Sequence, residues 1–350
     1  MSQMRMARRA LLRGSMFALG ASLLYPTSLV RAAPEKTRIT LAVGGKSALY
    51  YLALTVAEQL GYFKAEGLEL EINDFAGGSK SVQALIGGSA DVVAGAYEHT
   101  IRMQMLGQQV QAFALIGRGM QLAVAVVTKH ADKVGSAKDV KGMKFGVSAP
   151  GSSTHMLLNY WIAKAGLKPS DVAVIGVGAG ASVLAAVNSG EIDGVAQSDP
   201  VLTMLERKNM IKIVVDTRTT KGNLDTFGGP MPAATLNTKV DFIQRNPGTV
   251  QALANAIVRA DKWLQHANPE EVAKLVPENY LLGDKALYIA ALNNVREVLS
   301  PDGLMPDDGP ATCLKFLAAS DESIKPEKIR LEATWTNEFA KHANEKYKQG

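Results

Sequence analysis

The sequence predicts an α/β fold with two similar lobes and a helical C-terminal tail. Short β-rich runs alternate with helical patterns from residue 38 to residue 217, which is typical of a mostly parallel sheet with crossover helices. A weak internal repeat divides this region in two, and after residue 238 the pattern becomes helical throughout. Chance similarity between two βαβ units is the alternative explanation of the repeat.

The predicted strands are ten short runs. They cover residues 38–43, 68–72, 91–96, 110–117, 122–128, 144–149, 172–178, 194–198, 211–216 and 231–238. Helical patterns between them cover residues 48–63, 81–87, 154–166, 181–190 and 200–209. The repeat aligns residues 77–98 with residues 178–199. Each half therefore reads as strand, Gly/Ser loop, helix, strand, Gly/Ser loop, helix and strand.

The first 32 residues have the features of an export signal peptide. Arginines at positions 5, 8, 9 and 13 precede a short apolar stretch, and small residues around Ala32 suit a cleavage site. The Arg8-Arg9 pair also resembles a twin-arginine signal, so the Sec and twin-arginine routes both stay open. A membrane anchor is disfavoured because the apolar stretch is shorter than the ~20 residues that span a bilayer.

The net positive charge of the chain comes from this signal. The first 32 residues hold five of the 38 Lys and Arg residues and none of the 33 Asp and Glu residues, which leaves 33 of each in the remainder. A balanced mature chain has no basic surface field, so nucleic acid is excluded as an expected partner. The 318 residues after the signal are enough for two domains.

The residues of catalytic and metal sites do not form recognisable sets. The single cysteine, Cys313, lies in a helix-like apolar run and is predicted to be a buried small hydrophobe. The five histidines lack metal-ligand spacing, and no nucleophile stands in a hydrolase motif. Gly45-Lys46-Ser47 resembles the end of a phosphate-binding loop, but Thr40 occupies the position of the required first glycine. We therefore predict no catalytic residue, metal or cofactor.

Four glycine- and hydroxyl-rich loops follow predicted strands and begin helices. They are residues 44–47, 77–79, 150–154 and 178–182, two in each half of the repeat. In open α/β sheets ligands bind at the carboxyl ends of strands, and amides at a helix start can hold an anion. Ordinary helix capping is the alternative for any single loop. Together the four loops predict one cleft with convergent N–H groups.

Side chains beside these loops indicate the chemistry of the ligand. Lys46, Arg118 and His155 complement an anion, and Tyr50 and Tyr97 offer apolar walls.

Acidic residues leave a second possibility open. Glu98 and Asp199 also follow strand ends and would instead hold an amino or ring N–H group. The predicted ligand contacts are Gly45, Lys46, Ser47, Tyr50, Gly78, Ser79, Tyr97, Arg118, Ser152, Ser153, Thr154, His155, Gly180 and Asp199.

The sequence resembles the periplasmic substrate-binding proteins of nitrate-, sulfonate- and taurine-type ABC transporters, an NMT1/THI5-like and SsuA-like family. The stretches at 57–68 (AEQLGYFKAEGL) and 87–93 (GGSADVV) carry the resemblance most specifically. Residues 146–172 resemble the family's second lobe, and the helical tail agrees only in kind.

The resemblance implies a type II periplasmic binding protein fold. Lobe 1 would comprise residues 33–124 and 228–350, lobe 2 residues 125–227, and the tail would pack on lobe 1. The segments 122–128 and 230–238 would cross between the lobes. The resemblance also places residues 44–47, 77–79 and 151–154 in the cleft, with Tyr97, Arg118 and Asp199.

The expected function is capture of a small organic anion, a sulfonate, a taurine-like compound or a carboxylate, by cleft closure. The expected partners are this solute and an ABC permease in the inner membrane, with the receptor acting as a periplasmic monomer. Alternatives are an exported enzyme of the same fold (a desulfinase or a pyrimidine-precursor enzyme), a receptor for a cationic or heterocyclic solute, and a receptor that signals to a sensor kinase. A family desulfinase uses a cleft cysteine, whereas Cys313 is predicted to lie away from every cleft loop.

Overall fold

The computed structural model of this chain describes residues 33–348. The predicted export signal, residues 1–32, lies outside the described residues. Ten strands form two five-stranded sheets. The strands are β1 Arg38–Gly44, β2 Glu69–Phe75, β3 Val92–Ala96, β4 Val110–Leu115, β5 Leu122–Val127, β6 Lys144–Val147, β7 Ala173–Gly176, β8 Gly194–Ser198, β9 Ile211–Asp216 and β10 Ala234–Lys239. Each lies within or overlaps one of the ten predicted runs.

The two sheets have the same arrangement. The first has the order β2-β1-β3-β10-β4 and the second β7-β6-β8-β5-β9. β10 is antiparallel to both neighbours, β3 and β4, and β5 is antiparallel to β8 and β9. The remaining pairs are parallel. Four of the five strands in each sheet therefore run in one direction, and the matching orders confirm the two similar lobes predicted from the repeat.

The reversed strand of each sheet follows a crossing between the sheets. The chain leaves the first sheet after Leu115 and enters the second at Leu122, then returns after Asp216 to enter the first at Ala234. The two segments predicted to cross, residues 122–128 and 230–238, thus overlap β5 and β10, the strands that follow the two crossings. The two crossings lie side by side, with Ala233 N donating to Gly117 O at 2.9 Å. This pairing ties the two connections together at the junction of the lobes.

Within residues 33–348, fourteen α-helices surround the sheets. They are α1 Leu52–Gln59, α2 Tyr62–Ala65, α3 Gly78–Gly87, α4 Glu98–Met105, α5 Ser153–Lys164, α6 Ala181–Asn188, α7 Val201–Arg207, α8 Thr220–Phe227, α9 Val240–Arg245, α10 Pro247–His266, α11 Pro269–Leu275, α12 Lys285–Val295, α13 Gly309–Ala318 and α14 Glu338–Lys346. We call the first sheet with α1–α4 the first lobe and the second sheet with α5–α8 the second lobe. No helix among residues 33–348 is long and apolar enough to cross a membrane.

The buried strands explain why the helices cover both faces of each sheet. β3 and β5 consist of small and β-branched apolar residues, and every residue of both strands is buried. Such continuous apolar runs require cover on both faces, because no side of the strand is polar enough to face water. The sheets therefore form rigid supports, and the loops at their ends remain for ligand binding.

The C-terminal helices contact both lobes. Helix α10 packs on α1 and α14, in agreement with the predicted tail on the first lobe. Helices α12 and α13 also contact α7 and α5 of the second lobe. The reason is visible at Phe316 of α13, whose ring lies 5.1 Å from that of Tyr160 and 5.4 Å from that of Phe227. The tail thus packs on the first lobe, as expected, and in addition contacts the second lobe.

Candidate functional site

A small, partly open cavity lies where the loops of the two lobes meet. Its volume is about 30 Å³, close to the share of one water molecule in the liquid. The lining residues are Gly44, Ala48, Tyr50, Tyr51, Gly78, Leu122, Ser148, Ser152, Ser153, Thr154, Ala179 and Ser198. Each of the four predicted glycine-rich loops contributes at least one of them. The structure thus brings the four loops together around one hollow.

The second and third loops hydrogen-bond to each other across the cleft. Ser79 N donates to Ser152 Oγ at 3.0 Å, and Ser79 Oγ donates to Pro150 O at 2.9 Å. Ser79 is the second residue of α3 in the first lobe, whereas Pro150 and Ser152 precede α5 of the second. These bonds join the two lobes directly, so the structure is the closed form of the cleft.

The first and fourth loops also touch. A Cβ built on Gly45 would lie 2.7 Å from the Cβ of Ala179, which leaves no room for a larger residue. Close by, Leu49 N of the first lobe donates to Asp199 O of the second at 2.9 Å. Closure therefore involves loop contacts on both sides of the cavity.

The amides of the first loop are occupied by a protein carboxylate. Gly45 N and Lys46 N both donate to Asp74 Oδ1, at 2.8 and 2.9 Å. The Lys46 ammonium forms an ion pair with Glu58 at 2.6 Å, and its side chain is largely buried. Neither the amides nor the charge of this loop is directed at a ligand in the closed form. Asp74 is a neighbour that sequence reasoning missed, although it is the last residue but one of β2, shortly before the second loop.

Other amides of the loops remain available. Gly78, Ser153 and Thr154 stand at the first positions of α3 and α5, where amides have no partner within the helix. Their N–H groups have no acceptor among the described residues. Two helix starts from opposite lobes therefore direct unpaired donors to the region of the cavity, and each carries the positive end of a helix dipole.

A buried carboxyl group lies next to the cavity wall. Glu98 is the first residue of α4, an addition to the predicted helices, and it is 0% exposed. Neither carboxylate oxygen makes a hydrogen bond of normal geometry with another described residue. Burial raises the pKa of Glu98 to about 7, and the nearby Ser153 hydroxyl of the second lobe offsets part of this rise. The carboxyl group is thus held at the junction of the two lobes.

Two further polar groups near Glu98 lack partners. Neither the Tyr50 hydroxyl nor His99 Nε2 makes a hydrogen bond of normal geometry with a described residue, and both side chains are buried. The Ser153 hydroxyl lies near the Tyr50 hydroxyl, as it lies near Glu98. A Cβ built on Gly78, in the cavity lining, would lie 3.3 Å from His99 Nε2. Burial lowers the pKa of His99 to about 3, so this ring is neutral. His99 was not among the predicted contacts, because a histidine inside a helix gives no spacing signal.

Cys313 is buried, as predicted, but it is not remote from the site. Burial, and secondly the charge of Glu98, raise the pKa of its thiol well above the ordinary value. Cys313 also influences the pKa of Tyr50 and Tyr97. The expectation that it lies away from every cleft loop is corrected, since α13 packs on α4 and α5 beside the cleft.

Nine of the fourteen predicted contacts do not line the cavity. Four of them lie in loops that border it and are described below; the other five have partners elsewhere in the protein. Tyr97 shares a hydrogen bond with Thr334 at 2.5 Å, and the Arg118 guanidinium donates to Glu297 O at 2.7 and 3.0 Å. His155 Nδ1 accepts from Gly151 N at 2.9 Å.

Two further predicted contacts outside the cavity lining are Lys46, whose ion pair with Glu58 is described above, and Asp199. The Asp199 carboxylate accepts from the amide and hydroxyl of Thr203 at 2.9 and 2.6 Å and faces Arg218 at 3.4 Å. Among the described residues that line the cavity there is no lysine, arginine or carboxylate. As ligand contacts, these five residues remain predictions.

The predicted contacts that do line the cavity are Tyr50, Gly78, Ser152, Ser153 and Thr154. Gly45, Ser47, Ser79 and Gly180 lie in loops that border it; the Cβ position of Gly180 is 4.0 Å from Ser47 Oγ. Sequence reasoning missed Tyr51, Leu122, Ser148 and Ser198. The carboxyl end of a strand is the signal that would have found Ser148 and Ser198, because each stands at or one residue beyond such an end.

Comparisons with known proteins agree with this architecture. A family described as the NMT1-like family matches residues 32–277. The putative binding protein YtlA of Bacillus subtilis is 24% identical over 300 residues, which cover 83% of this chain and 86% of YtlA.

Two solved structures share the fold. A protein of Bordetella bronchiseptica is 53% identical, with a TM-score of 0.89 over 90% of this chain and 99% of that protein. The alkanesulfonate-binding protein SsuA of Xanthomonas axonopodis, bound to MOPS, is 18% identical, with a TM-score of 0.67 over 87% of this chain and 99% of SsuA.

Proposed function

Because this chain belongs to the NMT1-like family, we propose that it is a periplasmic solute receptor of an ABC importer. It captures a small organic solute between its two lobes and delivers it to a permease in the inner membrane. One observation carries the proposal: loops from both lobes line the same small cavity and hydrogen-bond to each other beside it. Relatives among the binding proteins support it.

Cleft closure is the physical basis of this proposal. A cavity of about 30 Å³ is smaller than an organic solute, so entry requires the lobes to separate. A ligand that contacts both lobes stabilises a closed form more than an open one, which shifts the equilibrium towards closure. The paired crossings at Gly117 and Ala233 provide a narrow connection about which such a motion can occur. A permease would then recognise the closed form.

We further propose that the solute carries an acid group, a sulfonate or a carboxylate. The unpaired amides of Gly78, Ser153 and Thr154 and the hydroxyls of the third loop support this class, because they are donors from two helix starts.

The proposal extends to export and organisation. The signal would be cleaved near Ala32, the mature protein would be a monomer, and the lobes would comprise residues 33–124 with 228–350, and residues 125–227. An enzyme of the same fold is the second candidate. The Cys313 thiol near Glu98 is the observation in its favour, but its raised pKa keeps it protonated and therefore a weak nucleophile.

Native mass spectrometry of the mature protein, followed by a thermal-shift panel of sulfonates, carboxylates and nitrogen heterocycles, tests the proposal. A ligand at 100 times its Kd should raise the free energy of unfolding by about 2.7 kcal/mol, and small-angle scattering should show a more compact form on binding. Saturable binding with compaction and without turnover is the expected result. Turnover of a bound compound would favour the enzyme, and the absence of any stabilising compound would contradict the receptor.

A further inference from the structure

One side of the cavity has an excess of buried polar atoms without partners. They are the Tyr50 hydroxyl, His99 Nε2 and both carboxylate oxygens of Glu98. Tyr50 lines the cavity, and His99 lies directly behind Gly78, which also lines it. Native proteins pair nearly all buried polar groups. Four unpaired atoms in one place, beside a cavity between two lobes, therefore point to a partner that arrives with the ligand.

The chemistry of these atoms favours a hydrogen-bond donor. Above its raised pKa of about 7 the Glu98 carboxylate is ionised and only accepts, and a neutral imidazole and a tyrosine hydroxyl can each accept one bond. The cationic side chains near the cleft have other partners: Lys46 pairs with Glu58, Arg118 donates to Glu297 O, and Arg218 is buried among carboxylates. Arg102, whose charge acts on Glu98, pairs with Asp321 at 3.6 Å. None of these cations is left to neutralise Glu98 across the cavity.

The position of Glu98 makes it accessible when the lobes separate. The residue belongs to the first lobe, and the hydroxyl of Ser153, from the second lobe, lies close enough to lower its pKa. Ser153 begins α5 and lines the cavity. The second lobe therefore forms part of the cover over Glu98, so opening of the cleft would expose the carboxyl group to an incoming solute.

We propose that Glu98, Tyr50 and His99 form a second pole of the binding site, which recognises a nitrogen-bearing donor of the solute, either a protonated amine or a ring N–H. This inference rests on the proposed function and refines its solute class. The amides of Gly78, Ser153 and Thr154 hold the acceptor group of the solute, and the second pole holds its nitrogen. A simple oxyanion such as nitrate or an alkyl sulfonate would leave the second pole unpaired.

Matched pairs of probes test this inference. The pairs are taurine and ethanesulfonate, β-alanine and propionate, and 4-aminopyrimidine and pyrimidine; each pair differs in one nitrogen donor. Affinities of the wild-type mature protein are measured by calorimetry up to 10 mM probe. In at least one pair, we expect the member that carries the additional nitrogen donor to bind at least tenfold more tightly than its counterpart.

Variants test whether the second pole causes the preference for probes with a nitrogen donor. Glu98→Gln should reduce the preference to less than threefold, and Tyr50→Phe should reduce it partially. Glu69→Gln is the control, because this glutamate lies on the exposed surface of the first lobe in an exposed pair with Arg38. It should leave both affinities unchanged. Circular dichroism and the melting temperature confirm that each variant is folded.

The possible outcomes separate this inference from the proposed function. The second pole is overturned if the members that lack the nitrogen donor bind as tightly as their counterparts, or if Glu98→Gln leaves the preference intact. In either case the proposed receptor function is unaffected. If no probe binds and scattering shows no compaction, both proposals are overturned. A preference that disappears in Glu98→Gln and persists in Glu69→Gln supports the second pole.

Discussion

Ser79 of the first lobe and Ser152 of the second are joined by a hydrogen bond of 3.0 Å from amide to hydroxyl, although they are 73 residues apart in the chain. The Ser152 hydroxyl in turn donates to the Ser79 hydroxyl at 3.1 Å. These two residues begin, or directly precede, helices whose starts face the same cavity. The bond therefore stabilises the closed form, in which the two lobes are in contact, and it lies at the edge of the cavity. We call it the latch.

Replacement of Ser152 with alanine should weaken this latch. The variant leaves Ser79 N without its acceptor in the closed form, and the loss of such a bond costs about 1 kcal/mol, or roughly fivefold in ligand affinity. Calorimetry with the ligand identified by mass spectrometry measures the change. Ser189→Ala is the control, since its hydroxyl bonds only to Ala186 O at the end of α6. Equal affinities of the two variants would contradict the latch.

A glycine in the second loop should control closure sterically. At Gly77 an added Cβ would lie 2.9 Å from Ala149 Cβ and Ser152 Oγ of the second lobe. Its φ of −174° is extended backbone that alanine also adopts. Gly77→Ala should therefore fold normally but resist closure, with ligand affinity reduced about tenfold or more.

Gly87→Ala is the matched control for this variant. Gly87 stands at the other end of α3, and nothing lies within 4 Å of its Cβ position. The substitution should leave affinity unchanged and stabilise the helix by at most ~1 kcal/mol. Scattering that shows full compaction of Gly77→Ala with ligand would argue against the steric role.

Glu98→Gln should change the pH dependence of stability. Below pH 4.5 the carboxyl group is protonated in the folded and the unfolded chain. Between pH 4.5 and about 7 the unfolded chain releases this proton and the folded chain keeps it, so the free energy of unfolding falls as pH rises. The difference corresponds to about 3 kcal/mol. Relative to wild type, Glu98→Gln should therefore gain about this amount between pH 4.5 and 7.5.

Urea unfolding at a series of pH values measures this gain. The groups that face Glu98 are Tyr50, Tyr51, Arg102 and the Cys313 thiol. His99, whose pKa is lowered, makes stability rise with pH up to about 6.5, but it is present in both proteins. A constant difference between wild type and variant across the pH range would show that Glu98 titrates normally.

Arg118→Ala should have little effect on ligand affinity. Its guanidinium is exposed and donates to Glu297 O, outside the cavity lining. We expect the affinity to stay within threefold of wild type. A loss of more than tenfold, measured by calorimetry, would show that Arg118 reaches the ligand in another arrangement of the lobes, as the sequence predicts.

Cys313 should be unreactive in the folded protein. Its side chain is 0% exposed and its pKa is raised, so it offers neither access nor a thiolate. A coloured aromatic disulfide at pH 8 should label less than a tenth of the folded protein within the time that labels all of it in guanidinium. Rapid labelling of the folded chain would instead favour the enzyme among the candidate functions.

Much of the fold follows from local sequence patterns. All ten strands fall on runs that alternate with helices, and the repeat correctly indicates two lobes of like topology. These features are readable because strand and helix formation depend on the periodicity of apolar residues over a few positions. The glycine-rich loops are readable for the same reason, since they stand between a strand and a helix.

The tertiary structure decided which charged side chains have partners within the protein. Lys46 and Arg118 have the right chemistry for an anion, but Glu58 and the carbonyl of Glu297 hold them. Glu98, one of several acids after strands, is the one enclosed without a partner. The sequence by itself thus determined the two lobes and their four loops. The pairing of each charge depended on contacts between residues far apart in the chain, and these form only when the lobes and the C-terminal helices pack together.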